Sequence, residues 1–193
     1  AVVVDNIETY KNSFHARPGK TDKSKPLASC DGCHDTHTFD IPPAASPEHA
    51  KWRLNSPASC GKDCHSEAVE AYTDSVHGKE LIEKGNSKSA VCADCHTAHA
   101  VSNTSGEPFK LSVTATCGNC HADNYKSYRA TYHGKISTLG YAYTAKCYNC
   151  HGSHDMRSKK DPESAVSRKN VAETCGTCHA KAKKAWAGSQ HGK

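Results

Sequence analysis

Every cysteine of the chain belongs to a pair that is followed directly by histidine. The six occurrences are Cys30/Cys33-His34, Cys60/Cys64-His65, Cys92/Cys95-His96, Cys117/Cys120-His121, Cys147/Cys150-His151 and Cys175/Cys178-His179. In such a run two thiols can add to the vinyl groups of a haem, while the adjacent imidazole becomes an axial ligand of the iron. The sequence therefore predicts six covalently bound c-type haems.

Two other uses of paired cysteines explain the pattern less well. Disulfide frameworks and zinc ribbons also employ cysteines in pairs, but neither requires a histidine after every second cysteine. The second motif has three residues, Gly61 to Asp63, between its cysteines instead of two. This spacing resembles a minor form of the attachment motif, so we interpret it as a haem site as well.

Eight further histidines lie outside the motifs, and seven of them recur at fixed distances from the motifs. Four of them end a Ser/Thr-x-His element that begins with an aromatic residue five positions earlier: His15, His77, His133 and His191. Three follow a motif histidine by three residues: His37, His99 and His154. The last, His49, has no counterpart. The regular spacing of motifs and histidines predicts a single domain, 1–193, with internal dihaem repeats over approximately 10–77, 72–133 and 128–191.

The spacing limits which histidines can share an iron. His96 and His99 come from one short segment, so they cannot bind opposite faces of one iron. We expect the first motif of each repeat to be faced by His15, His77 and His133. We expect the second motif to be faced by His37, His99 and His154. The alternative frame, in which each Ser/Thr-x-His histidine reaches back to a preceding haem, also fits the spacing.

Six low-spin haems need twelve axial ligands, so two of the fourteen histidines are surplus. His49 is one, as a spare ligand. The other is a terminal Ser-x-His copy, either His191 or His15 according to the frame. Such a copy is either idle or binds a haem of the next molecule, which would give head-to-tail self-assembly.

The composition argues against an ordinary apolar core. Leu, Ile, Val and Phe together account for 22 of 193 residues, and a share below about 20% is typical of chains that cannot bury enough apolar surface to fold alone. Haems would supply that surface. We expect a haem-cored, mainly irregular chain with short α-helices and few or no strands. Helices are predicted over 66–77, 122–133 and 180–191, each ended by a C′ glycine, with a short helix over 80–84.

Charge and hydropathy restrict the partners and the location. The formal net charge is +5, and haem propionates would offset it. The basic runs 157–160 and 181–184 are therefore predicted to be solvated faces rather than nucleic-acid sites. The start of the chain is too short for a signal or membrane segment, and no other stretch is long and apolar. Because c-type haem is attached outside the cytoplasmic membrane, we expect an exported, processed protein in the periplasm or the extracellular space.

Over its whole length the chain resembles the multihaem c-type cytochromes, through Cys-x-x-Cys-His, Cys-His-x-x-His and Ser-x-His-Gly. That group includes small periplasmic electron carriers and extracellular cytochrome nanowires. The resemblance implies bis-histidine low-spin haems and long-range electron transfer. We expect redox proteins or an extracellular acceptor as partners and, because histidine ligands are in excess, no enzyme activity. The alternative is a multihaem reductase of a small nitrogen or sulfur oxyanion, which requires one haem with an open position.

Overall fold

In the computed structural model, which describes residues 2–37 and 41–192, short helices alternate with irregular segments and no β-strand is present among these residues. The expectation of a mainly irregular chain with short α-helices is confirmed. Extended pairing is limited there to an isolated bridge between Pro18 and Pro26. The helices are α1 (Val2–Lys11), α2 (Pro47–Gly61), α3 (Ser66–Asp74), α4 (Val76–Ile82), α5 (Cys92–His96), α6 (Glu107–Gly118), α7 (Ala122–Ala130), α8 (Tyr132–Thr138), α9 (Cys147–His151), α10 (Val171–Gly176) and α11 (Ala180–Ala187), with a 3-10 turn at Cys30–Gly32.

The helices recur in register with the cysteine motifs. The first motif of each repeat forms a single short turn, which is the 3-10 turn, α5 or α9. The second motif begins near the end of a helix, which is α2, α6 or α10, and its histidine is the N-cap residue of the helix that follows. Each motif therefore has a fixed place relative to the helices around it.

The helices that follow the second motifs end earlier than the sequence predicts. After the second motif of the first repeat, α3 ends at Asp74 and α4 begins at Val76. Ser75 is extended between them, with φ −74° and ψ 165°, and its hydroxyl accepts a hydrogen bond from the Gly78 amide at 3.0 Å. Ser75 is thus the N-cap of a new helix, and the prediction of one helix over 66–77 is wrong. The predicted ends at 133 and 191 are wrong in the same sense, because α7 ends at Ala130 and α11 at Ala187.

The glycine after the histidine is required by close packing rather than by a C′ position. Gly78 lies inside α4, and a Cβ atom there would overlap the carbonyl oxygen of Tyr72. The same overlap would occur between Gly134 and Tyr128. The predicted C′ role is therefore wrong, since these glycines allow two consecutive helices to meet at a tight corner.

The polypeptide buries few apolar side chains. Tyr72, Leu81 and Val91 form a small buried cluster, with Leu54 packed against it. The accessible surface is 13683 Å², whereas a globular chain of this length exposes about 8,900 Å². The apolar core made by the polypeptide itself is small for its length, in agreement with the composition.

Adjacent repeats are joined by the same backbone hydrogen bond. The Phe14 amide donates to the Val101 carbonyl at 2.7 Å, and the Val76 amide donates to the Met156 carbonyl at 2.8 Å. Each donor directly precedes a Ser/Thr-x-His histidine, and each acceptor lies two residues past the Cys-His-x-x-His histidine of the next repeat. The repeats therefore stack in sequence order through an equivalent junction.

The surface carries the two basic runs, as predicted for solvated faces. Arg157 pairs with Asp161 at 3.2 Å, and Lys183 pairs with Glu173. Among the described residues, no helix combines the length and the apolar character needed to cross a bilayer.

We predict that Gly78→Ala lowers the free energy of unfolding by about 1–3 kcal/mol, because the added methyl group meets a backbone oxygen that cannot move aside. Chemical denaturation followed by circular dichroism measures this change. Gly32→Ala is the matched control, since no atom lies within 4 Å of the corresponding Cβ position. Equal denaturation midpoints for the two variants would contradict the packing account.

Candidate functional site

The structure brings the histidines together as pairs of imidazole rings from distant parts of the chain. Each pair joins one motif histidine to one histidine outside the motifs, with ring centres between 5.9 and 6.2 Å apart. The pairs are His15 with His65, His34 with His99, His77 with His121, His96 with His154, and His133 with His179. Five of the six motifs thus face a second imidazole.

The separation of the rings fits a metal held between two imidazoles. Ordinary aromatic pairs also have ring centres about 4.5–7 Å apart, so one such distance is not distinctive. Two metal–nitrogen bonds of about 2 Å in a linear arrangement place the ring centres about 6 Å apart. All five pairs meet this value, and none joins two histidines of the same kind. This regularity suits a bis-histidine haem iron better than incidental ring contact.

The Ser/Thr-x-His histidines face the second motif of their own repeat. The sequence predicts His77 opposite His96, but its ring lies opposite His121. His15 and His133 follow the same rule, so their predicted assignment to the first motifs is wrong, and the alternative of a preceding haem is wrong as well. The physical reason is the corner at Ser75, because the histidine begins a new helix instead of ending α3.

The Cys-His-x-x-His histidines reach back to the preceding repeat. His99 lies opposite His34, the first motif of the repeat before it, and His154 lies opposite His96. The prediction that they face the second motif of their own repeat is therefore wrong. The expectation that His96 and His99 face different partners agrees with these pairs.

A positive backbone angle turns the chain between the two histidines. Thr97, directly after His96, has φ 62°, and the equivalent Gly152 has φ 83°. Such a conformation costs a residue with a side chain about 1–3 kcal/mol, so it persists only where the surrounding structure imposes it. The turn at Thr97 ends α5 at His96, so that His99 is not on the same helix as the motif histidine.

Four histidines have no opposed imidazole within residues 2–37 and 41–192. They are His37, His49, His151 and His191. The Nδ1 atom of His37 lies 3.2 Å from the Thr36 hydroxyl. The ring of His49 lies beside Trp52, with ring centres 5.5 Å apart, rather than beside a motif histidine. Because His15 is paired within its own repeat, His191 is the surplus Ser-x-His copy.

A hydrogen bond that recurs in all three repeats positions the paired histidines. The tyrosine five residues before each histidine donates its hydroxyl to the alanine carbonyl two residues before the next motif. The distances are 2.6 Å for Tyr10 to Ala28, 2.8 Å for Tyr72 to Ala90 and 2.9 Å for Tyr128 to Ala145. The regular spacing of the aromatic residues in the sequence indicates that they share a role. The carbonyl group that accepts the hydrogen bond could not be predicted from that spacing.

The thiols of successive motifs lie beside one another in sequence order. A hydrogen bond from Cys60 lowers the pKa of the Cys92 thiol, and one from Cys147 lowers the pKa of the Cys117 thiol. Burial raises the pKa of the Cys33, Cys95 and Cys150 thiols, and the thiols of the following motif raise it further. None of the twelve cysteines forms a disulfide bond. The six predicted attachment sites thus form an unbroken series along the chain.

Partial burial favours the neutral form of the imidazoles of His15, His34 and His77. Burial lowers the pKa of His15, His34 and His77, and the imidazole opposite each of them lowers it further. At Cys92 a hydrogen bond from Cys60 lowers the pKa of the thiol to about 7. Neutral imidazole is the form that binds a metal, and thiolate is the nucleophilic form of cysteine.

No three His, Cys, Asp or Glu side chains of the described part of the chain gather in a cluster that could hold a bare metal ion. The donors are instead arranged as opposed imidazoles with adjacent thiol pairs. Comparisons with protein-family models, curated proteins and solved structures found no match.

We predict that Tyr72→Phe destabilises the protein by about 1–3 kcal/mol, because it leaves the Ala90 carbonyl without its hydrogen-bond donor. Tyr72 is only 8% exposed, so water cannot readily replace the hydroxyl. Tyr132→Phe is the control, since Tyr132 is 76% exposed and is expected to change the stability little. Thermal unfolding of both variants measures the difference, and an unchanged midpoint for Tyr72→Phe would refute the positioning role.

Proposed function

We propose that this protein is an electron carrier in which six covalently bound c-type haems form a closely spaced series. The observation that supports the proposal most directly is the opposition of five motif imidazoles by five others at about 6 Å, the spacing of two imidazoles bound to one iron. The haems would be attached through Cys30, Cys33, Cys60, Cys64, Cys92, Cys95, Cys117, Cys120, Cys147, Cys150, Cys175 and Cys178.

Attachment requires only the thiols and the haem itself. Each thiol adds to a vinyl group, so that a sulfur–carbon bond forms and the thiol hydrogen passes to the other vinyl carbon, with no oxidant consumed. Bound haem iron supplies one-electron exchange between its ferric and ferrous states. The paired imidazoles would hold the iron, exclude a substrate from it and favour a low reduction potential.

Two further observations support a series of haems rather than isolated ones. The thiols of each motif neighbour those of the next, from Cys33 beside Cys60 to Cys150 beside Cys175, so the groups attached to them would also be neighbours. The accessible surface of 13683 Å² is about half again that of a globular chain of this length. Haem faces would cover part of this excess and supply the apolar core.

The proposed location and partners follow from the haem attachment. Assembly of c-type haem implies a periplasmic or extracellular protein that exchanges electrons with redox proteins or an extracellular acceptor. Self-assembly through His15 is disfavoured, because this residue already faces His65 in its own chain. Self-assembly through His191 is disfavoured as well. By its place in the repeat, His191 would face His65 of a following copy, and that position is already taken by His15 of the same copy.

A multihaem reductase of a small nitrogen or sulfur oxyanion is the second candidate. One observation favours it, because no imidazole among the described residues faces His151. A haem attached there would have an open axial position in an isolated chain. The spin state of the native protein separates the two functions, since an open position gives a high-spin centre.

For the exported, matured protein we predict six haems per chain, all resistant to extraction by acidified acetone, and at least five low-spin centres by electron paramagnetic resonance. The pyridine haemochrome assay and mass spectrometry measure the haem number. A matured chain that carries zinc or disulfides instead of haem would refute the proposed function. Six low-spin centres would exclude the reductase.

We predict that His77→Met raises the reduction potential of one haem, because a histidine–methionine ligand pair stabilises ferrous iron more than two histidines do. Redox titration followed by optical spectroscopy measures the potentials. His49→Met is the matched control and is expected to leave all of them unchanged, since the His49 ring contacts Trp52. A shift in the control but not in His77→Met would contradict the pairing with His121.

A further inference from the structure

The apolar cluster of the second repeat lies directly beside the start of a predicted attachment motif. Tyr72 lies five residues before the Ser/Thr-x-His histidine, Leu81 follows that histidine by four residues, and Val91 directly precedes the first cysteine of the motif. Leu81 and Val91 are 0% and 2% exposed, and both belong to the buried cluster. These positions therefore form the buried support of the segment that begins the motif.

The same positions of the third repeat hold Tyr128, Ser137 and Lys146, so a polar pair stands where the second repeat has an apolar one. The exposed fraction of Lys146 is 1%, and that of Ser137 is 9%. The Lys146 amino group donates a hydrogen bond to the Ser137 hydroxyl oxygen at 2.7 Å and to the Tyr141 carbonyl oxygen at 3.4 Å. The two repeats thus differ at both positions together, with an apolar contact in one and a hydrogen bond in the other.

The charge of Lys146 has no counter-ion in the described part of the chain, where no carboxylate oxygen lies within 4 Å of its Nζ atom. Burial lowers the pKa of this amino group, whereas hydrogen bonds donated by the ammonium favour the charged form. Burying a charge without an opposite charge is costly, and the second repeat shows that an apolar pair suits the same positions. Packing alone therefore does not explain the lysine, which points to a role for its charge.

The motifs of the two repeats differ in charge in the same direction. Asp94, directly before the second cysteine of the second-repeat motif, pairs with Arg53 at 2.8 Å, so the two charges offset each other. The equivalent residue of the third repeat is the neutral Asn149, whose side chain accepts a hydrogen bond from the Lys146 amide at 2.8 Å. The third-repeat motif therefore begins beside an uncompensated positive charge, whereas the second-repeat motif carries a neutral ion pair.

We propose that the buried ammonium of Lys146 raises the reduction potential of the haem attached at Cys147 and Cys150, so that the third repeat is where the series holds an electron. The proposal rests on the proposed function, since it needs a haem at these two cysteines. Lys146 acts through its electric field and not as a ligand of the iron. The apolar pair of the second repeat exerts no such field.

The direction of the effect follows from the charges of the two iron states. The Lys146 ammonium disfavours ferric iron more than ferrous iron, because the ferric state carries one more positive charge. One electron passes from a neighbouring ferrous haem, which becomes ferric, to the haem beside Lys146, which becomes ferrous, and Lys146 neither gains nor loses a proton. A unit charge about 10–15 Å away, at an effective dielectric constant of about 20, shifts such an equilibrium roughly ten-fold.

The test compares Lys146→Gln with the unaltered matured protein in a redox titration followed by optical and electron paramagnetic resonance spectroscopy. Glutamine removes the charge and keeps a polar group that can bond to Ser137. One of the six midpoint potentials is expected to fall, so that the ferrous-to-ferric ratio of that haem at a fixed applied potential falls roughly ten-fold. Six unchanged potentials would overturn the proposal.

Lys135→Gln is the matched control, because it removes the same charge from an exposed position on α8. Water and salt screen an exposed charge, so this variant is expected to leave all six potentials nearly unchanged. An equal fall of one potential in Lys135→Gln and in Lys146→Gln would assign the effect to net charge and overturn the role of burial at Lys146.

A double variant separates the effect of the charge from misfolding. Ser137→Leu combined with Lys146→Val rebuilds the apolar pair of the second repeat, and replacing a buried charge by well-packed apolar residues is often neutral or stabilising. The double variant is expected to unfold at the same or a higher denaturant concentration than the unaltered protein, with the same fall of one potential. Unaltered potentials in this folded variant would overturn the proposal, and a large loss of stability would contradict its premise that packing does not require the lysine.

Failure of this proposal differs from failure of the proposed function. Six covalent haems whose potentials do not depend on Lys146 would leave the electron-carrier function intact and overturn only the role of this residue. A matured protein without covalent haem would overturn both.

Discussion

In the proposed function each motif imidazole needs a second imidazole that its own segment cannot provide, and five of the six motif imidazoles face one in the structure. A segment that supplies the motif histidine lies on one side of the site, so the opposing ring must come from elsewhere in the chain. The pairs His15 with His65 and His99 with His34 satisfy this need in two ways, one within a repeat and one between repeats. The helices are short because their main role is to position these rings.

Local backbone features are explained by the same need. The corner at Ser75 and the close approach of Gly78 to Tyr72 place His77 at the start of α4. The positive φ of Thr97 ends α5 so that His99 is directed to another repeat. Apolar side chains that could form a core are scarce in the described part of the chain, where Tyr72, Leu81 and Val91 form a small buried cluster. In the proposed function the haems, rather than the polypeptide, hold the repeats together.

The sequence was sufficient for the positions of the motifs and for the coarse class of fold, short helices with irregular segments, because cysteine–histidine spacing and low apolar content are local properties. It was not sufficient for the pairing of the histidines. The assignment of His77 to the first motif followed from assuming one helix up to the histidine, and the N-cap at Ser75 breaks that helix. The partners of His99 and His154 depend on how repeats stack, which spacing along the chain does not determine. The sequence shows a recurring glycine at position 78. Its role depends on the position of the Tyr72 carbonyl oxygen, which only the structure supplies.

The central claim is that these imidazole pairs enclose iron. Anomalous diffraction at the iron absorption edge, from crystals of the matured protein, locates each iron directly. The account predicts six iron positions, five of which lie between the paired rings, such as His77 with His121 and His96 with His154. Iron bound between His77 and His96, or imidazole pairs that enclose no iron, would contradict it.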